Sequence, residues 1–179
     1  MKKAWVAALL IAGLSMRTGV QGRPAWPQAG SPNARRPSWE SLAIVVNPKN
    51  PTTNVTLREL REILLGDRQW WACKQPHITL TAMPRGSAER DTLTRTIYKM
   101  DDAAFDKYFF FEVYRGLLPT SPTILDTAAE VKKFVSRTPG AVGYVRASEV
   151  DDSVKVLRID GLFPEDDGYP LRLRTRVAK

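Results

Sequence analysis

Between Leu42 and Ile159, short β-branched runs alternate with segments whose apolar residues recur every three or four positions, and this alternation narrows the fold more than any other feature. Leu42-Ala43-Ile44-Val45-Val46 is a continuous apolar run stopped by Asn47-Pro48 and Asn50-Pro51, the pattern of a buried strand. Thr56 and Glu59 form a capping box, after which Leu57, Leu60, Ile63 and Leu64 share one helical face until Gly66 ends it. Ile78 to Ala82 alternates as a strand does. Beyond Pro84-Arg85-Gly86 the period changes, and Ser87-Ala88-Glu89 leads into a helical face of Leu93, Ile97 and Met100. A third helix is expected to open at Asp101 or Asp102, bury Phe105, Tyr108, Phe109 and Val113, and stop at Gly116. A fourth starts near Asp126, with Thr127 and Glu130 as a second capping box, Val131, Phe134 and Val135 inward, and Pro139-Gly140 as its end. Val142 to Val145 and Val154 to Ile159 read as two further strands, so residues 42–159 form one α/β domain.

The flanks have a different character. Lys2 and Lys3 precede an apolar stretch from Ala4 to Leu14, too short for the roughly 20 residues of a spanning helix. Ser15, Arg17 and Thr18 interrupt it, and Val20-Gln21-Gly22 offers small residues for cleavage. Residues 1–22 therefore read as a secretory signal peptide rather than an uncleaved anchor, no cysteine follows to carry a lipid, and the mature chain is expected to be periplasmic or secreted. Residues 23–41 carry Pro24, Pro27, Pro32 and Pro37 without apolar period, a proline-rich linker. Residues 160–179, with Arg172, Arg174, Arg176 and Lys179, read as a basic tail, either solvated or drawn to acidic envelope lipids. The formal charge is +8, but Lys2, Lys3 and Arg17 belong to the signal, and an exported chain is not expected to meet nucleic acid.

Catalysis and cofactors find little support. The single cysteine, Cys73, excludes an internal disulfide, and the single histidine, His77, excludes any mechanism that needs two. The two lie four apart but supply only two metal ligands, so an inert buried thiol is the simpler reading. No Gly-x-Ser-x-Gly elbow occurs, and the acid pairs Asp101-Asp102, Asp151-Asp152 and Asp166-Asp167 are adjacent rather than opposed across a cleft, as caps and turns are. No cofactor is expected.

The stretch from Met83 to Arg90 is the one place where local geometry suggests ligand chemistry. A strand ends, a glycine turns the chain, and a helix opens whose first N–H groups lack intrahelical acceptors and carry the positive end of the dipole. Backbone groups of Gly86 and Ala88, the Ser87 hydroxyl, and the guanidinium of Arg85 or Arg90 are the candidate oxyanion contacts. The competing reading is a helix merely capped by Ser87, with Glu89 compensating the dipole. Glu89 would repel an anion unless it turns away or pairs with Arg90.

In their order, four stretches resemble the phosphate ABC transporter substrate-binding proteins, which are type II periplasmic binding proteins. They are Leu42 to Pro48 with Asn50-Pro51, the Leu57 to Gly66 helix, Pro84 to Ser87, and Pro139-Gly140-Ala141-Val142-Gly143-Tyr144-Val145. The resemblance implies a mixed sheet flanked by helices, like one lobe of that two-lobed fold, with a ligand edge after Gly86. It implies phosphate or a similar anion as ligand and an ABC transporter permease or another envelope protein as partner. The family's anion loop commonly reads Arg-x-Asp-Gly-Ser-Gly-Thr. Only Gly86 and Ser87 match it: Arg85 stands where the acid would be, Ala88 replaces the second glycine, and Glu89 replaces the threonine. The alternative is an envelope interaction module that has lost anion binding.

Overall fold

The computed structural model describes residues 40–71 and 76–173. The expected signal peptide, the linker up to residue 39, Cys73, Arg174, Arg176 and Lys179 lie outside the described residues.

The apolar run at the start of the domain is strand β1, Leu42–Val46, and all five of its residues are fully buried. Each large aliphatic side chain sealed in this way contributes about 1.5–3 kcal/mol of transfer free energy. Four of the other strands complete a sheet around it: β3 (Thr79–Ala82), β4 (Thr123–Ile124), β5 (Ala141–Arg146) and β6 (Lys155–Val156). The order is β4-β3-β5-β1-β6. β3 pairs parallel with β4 and β5, while β1 runs antiparallel to β5 and β6, with Ile44 opposite Tyr144. The sheet is therefore mixed. Strands β2 (Asn54–Val55) and β7 (Arg158–Ile159) make a separate parallel pair. The run Val154 to Ile159 is thus not one strand: it divides between two sheets, with buried Leu157 at the joint.

Helix α1, Leu57–Leu65, has the expected Thr56–Glu59 capping box and ends at Gly66 with φ +84°. Helix α4, Ala128–Arg137, has the second box, Thr127–Glu130. It buries Val131 and Val135, while Phe134 is only half-buried. Close approach of α4 at Gly143, and of the chain at Pro76 and His77 at Gly140, explains the glycines of the Pro139-to-Val145 stretch. A Cβ on Gly143 would lie 2.7 Å from both Thr81 Oγ1 and Val131 Cγ1, and one on Gly140 would sit 1.9 Å from the His77 carbonyl oxygen. Asn47, ending β1, donates to the Val135 and Ser136 carbonyls at 3.0 and 2.8 Å, closing the last turn of α4.

The segment after Gly86 forms helix α2, Ala88–Leu93, and continues as a π-helical turn, Thr94–Tyr98, that reverses at Lys99 with φ +59°. Arg61 of α1 donates to the Ile97 carbonyl there. Helix α3, Asp102–Tyr114, is capped by Asp101 and buries Phe105 and Phe109 against Tyr98. Tyr108 and Val113, expected inside, are half-buried, and Phe110, Phe111 and Tyr114 of the same helix are exposed, because its apolar residues exceed the one face that Phe105 and Phe109 bury.

Residues 160–173, read from sequence as part of a basic tail, belong to the domain. The Leu171 carbonyl accepts from Leu42 N–H at 2.8 Å, Leu173 N–H donates to the Glu40 carbonyl at 2.7 Å, and Tyr169 Oη donates to the Leu42 carbonyl at 2.9 Å. Tyr169, Leu171 and Leu173 are buried. The correction has a simple cause: these residues gain their apolar partners from β1, more than a hundred positions away, and need no period of their own.

Candidate oxyanion-binding site

The carboxyl ends of the parallel strands β3 and β5 define one edge of the sheet, the position where open α/β folds place ligands. At the end of β3, Met83 N–H donates to Tyr144 Oη at 2.8 Å, which anchors the turn that follows. Burial pushes the Tyr144 phenol far above its ordinary range, so it stays neutral. Gly86 takes φ +81° with open space where a Cβ would be. Ser87 caps α2: its Oγ accepts Arg90 N–H at 3.2 Å and donates to the Pro84 carbonyl at 3.0 Å. Gly86 and Ala88 are exposed, and the Ala88 and Glu89 N–H groups, in the first helical turn, have no helical acceptor.

The charges around this turn sort into two networks. Glu89 is 8% exposed and accepts from Arg146 Nε at 2.5 Å. Arg146 also holds Glu40 at 3.0 Å, and the hydrogen bond it donates to Glu89 is the main reason its guanidinium is raised above its ordinary value. Glu89 thus pairs with Arg146, not with Arg90.

The second network joins α2 to α3. Arg90 is 2% exposed, with Nε 2.7 Å from Asp102 Oδ1, Nη2 2.6 Å from Asp106 Oδ1, Nη1 3.3 Å from the Met83 carbonyl and its guanidinium 4.4 Å from the Phe105 ring centre. Exposed Arg85 binds the other oxygen of Asp106 through Nε at 2.5 Å. Asp102 Oδ2 lies 3.4 Å from Gly86 N. Partial burial pushes the Asp106 carboxyl up, but the hydrogen bonds from Arg90 and Arg85 outweigh it and hold the group below its usual range.

Of the five candidate contacts, Arg85, Gly86, Ser87 and Ala88 share the outer edge, while the Arg90 guanidinium lies inside it. Sequence reasoning missed Asp102, Asp106 and Arg146. The spacing of Asp102 and Asp106, one helical turn apart on α3, was the available signal. His77 sits far from this edge in the chain's packing, its Nδ1 2.9 Å from the Ile78 carbonyl and its ring edge-on to Trp70. Among the described residues no group of three or more His, Cys, Asp or Glu side chains could hold a metal ion.

The mixed sheet with flanking helices is the α/β architecture of type II periplasmic binding proteins. An ABC-type phosphate transport receptor from Vibrio cholerae matches with TM-score 0.53 and 24% identity over 70% of this chain and 48% of that one. PstS from Borrelia burgdorferi matches with TM-score 0.57 and 18% identity over 75% of this chain and 55% of that one. At these identities the structures show the fold. The sequence carries the relationship further: the phosphate-binding protein PstS of Bacillus subtilis is 32% identical over 128 residues, 69% of this chain and 37% of the relative. No family model matches. Over its α/β domain the chain resembles the phosphate ABC transporter substrate-binding proteins in sequence and in fold. It spans little more than a third of the length of that curated relative.

Proposed function

We propose that the chain is an exported, non-catalytic solute-binding protein that takes phosphate or a related oxyanion at the Arg85–Ala88 edge, in the service of phosphate uptake. The observation that carries this reading is the pairing of Glu89 with Arg146. Its carboxylate is spent on Arg146, so the acid that replaces the family's hydroxyl does not close the turn. The Asp102 carboxylate, 3.4 Å from Gly86 N, supports the reading, since it places a negative charge beside the turn's backbone. Removal of residues 1–22 as a signal peptide, periplasmic or secreted residence, and a permease of the ABC type as partner follow from the same reading.

Calorimetric titration of the chain from Arg23 to Lys179 with inorganic phosphate at low salt tests it. Saturable heat that disappears in Ser87→Ala supports the proposal, and absence of heat from the folded parent overturns it.

A second reading, an envelope interaction module, is favoured by one observation: Phe110, Phe111 and Tyr114 are 64%, 39% and 80% exposed on α3. It predicts an absence of phosphate binding together with retention of a protein partner that is lost in Phe110→Ser/Tyr114→Ser.

A further inference from the structure

Resting on the proposed reading of the turn, we infer that the Asp106 carboxylate is an internal competitor for Arg85, so that a phosphate-class oxyanion takes this cation by displacing it. Three features of the geometry support the exchange. Arg85 is the only exposed guanidinium of the α2–α3 network, and Asp106 is its only partner among the described residues. Asp106 divides its oxygens, Oδ2 to Arg85 and Oδ1 to buried Arg90 at 2.6 Å. When Arg85 leaves, the carboxylate therefore keeps a charge-assisted partner and is not stranded.

Arg90 cannot make the same exchange. Its three nitrogens are occupied by Asp102, Asp106 and the Met83 carbonyl, with Phe105 covering its face. It is a positioning residue that ties the start of α3 to the turn, and the ligand-facing cation is Arg85. Asp102 is displaced in the same event, because its 3.4 Å approach to Gly86 N is longer than a good N–H···O bond and is readily replaced by a phosphate oxygen.

The test follows the Asp106 side-chain carboxyl by carbon-13 NMR in the full chain while inorganic phosphate is added, alongside calorimetry of Asp106→Asn. The Asp106 titration midpoint is expected to rise on phosphate addition, since Arg85 no longer stabilises the carboxylate. Asp106→Asn is expected to bind phosphate about fivefold tighter than the parent, with the gain lost when Arg85→Gln is added. Phosphate binding that leaves the Asp106 carboxyl unmoved and the Asn variant no tighter overturns the inference and leaves the proposed function standing. A folded parent and a folded Asp106→Asn that both fail to bind overturn the two together. Should Asp106→Asn not fold, Arg85→Gln replaces it: the Asp106 midpoint must rise without phosphate and then stop responding to it, and a midpoint that still responds overturns the inference.

Discussion

Gly143, inside strand β5, and Gly86, in the turn that follows β3, are glycines for opposite reasons. At Gly143 the backbone is ordinary strand and the space is gone, because α4 and Thr81 close within 2.7 Å of where a Cβ would be. At Gly86 the space is open and the backbone is unusual, at φ +81°. The first region is a packing joint that holds the domain together. The second is an exposed turn whose charges are shared with side chains of α2, α3 and the end of β5. The contrast separates what this chain needs in order to fold from what it has available to bind.

Substitutions can break that contrast or sharpen it. The largest effect is expected at the joint: Gly140→Ala, whose Cβ would meet the His77 backbone oxygen, should cost about 3 kcal/mol, the upper range for overpacking. Urea denaturation measures it, and a loss below about 1 kcal/mol would mean that the joint is looser than its distances.

Next comes Arg90→Met, which takes the arginine partner from Asp102 and leaves Asp106 with Arg85 alone. Buried pairs broken in this way cost roughly 3–5 kcal/mol, but both carboxylates are about a third exposed, so about 2 kcal/mol is the expected loss. Thermal unfolding at neutral pH checks it.

Gly86→Ala should cost only about 1 kcal/mol, the strain of placing an L-residue at positive φ. The sharper effect lies in binding, since any relaxation of φ turns the exposed N–H groups away. Phosphate titration of this variant should show a greater proportional loss of affinity than of stability.

The smallest effect concerns acid. Asp151, bonded by Lys132 and Ser153, is held down to about 2. A depressed carboxylate contributes stability above its unfolded value near 3.8, and that contribution disappears as pH falls toward 2. Asp151 is half exposed, so the loss should be well below that of the buried network. Comparing acid unfolding of the parent and Lys132→Met isolates it, with the variant showing the flatter profile between those two pH values.

Local chemistry made much of the joint legible in the sequence. Both capping boxes, the Asp101 cap and the Gly66 stop depend on residues within a few positions of each other, and they occur where the spacing placed them. The β1 run was legible because a strand buried on both faces needs no alternation. What escaped depends on distant partners. Tyr169 and Leu171 acquire their role from Leu42, and the two-residue strands β2, β4 and β7 are too short to carry a period. The turn was legible as a helix start, and so were Arg85 to Ala88 as its edge. The pairing of Glu89 with Arg146, 57 positions on, and of Arg90 with Asp102 and Asp106 was not, since each acid and base has several equivalent choices along a chain this charged.

The most direct test of the account is a residue-resolved one: amide nitrogen-15 NMR of the chain from Arg23 to Lys179, titrated with inorganic phosphate at constant ionic strength. The account predicts saturable shifts concentrated at Gly86, Ser87, Ala88 and Glu89, with the Arg85 side-chain Nε–H moving with them and residues 140–145 silent. Shifts spread evenly over surface amides, or none at the turn while the protein remains folded, would contradict it.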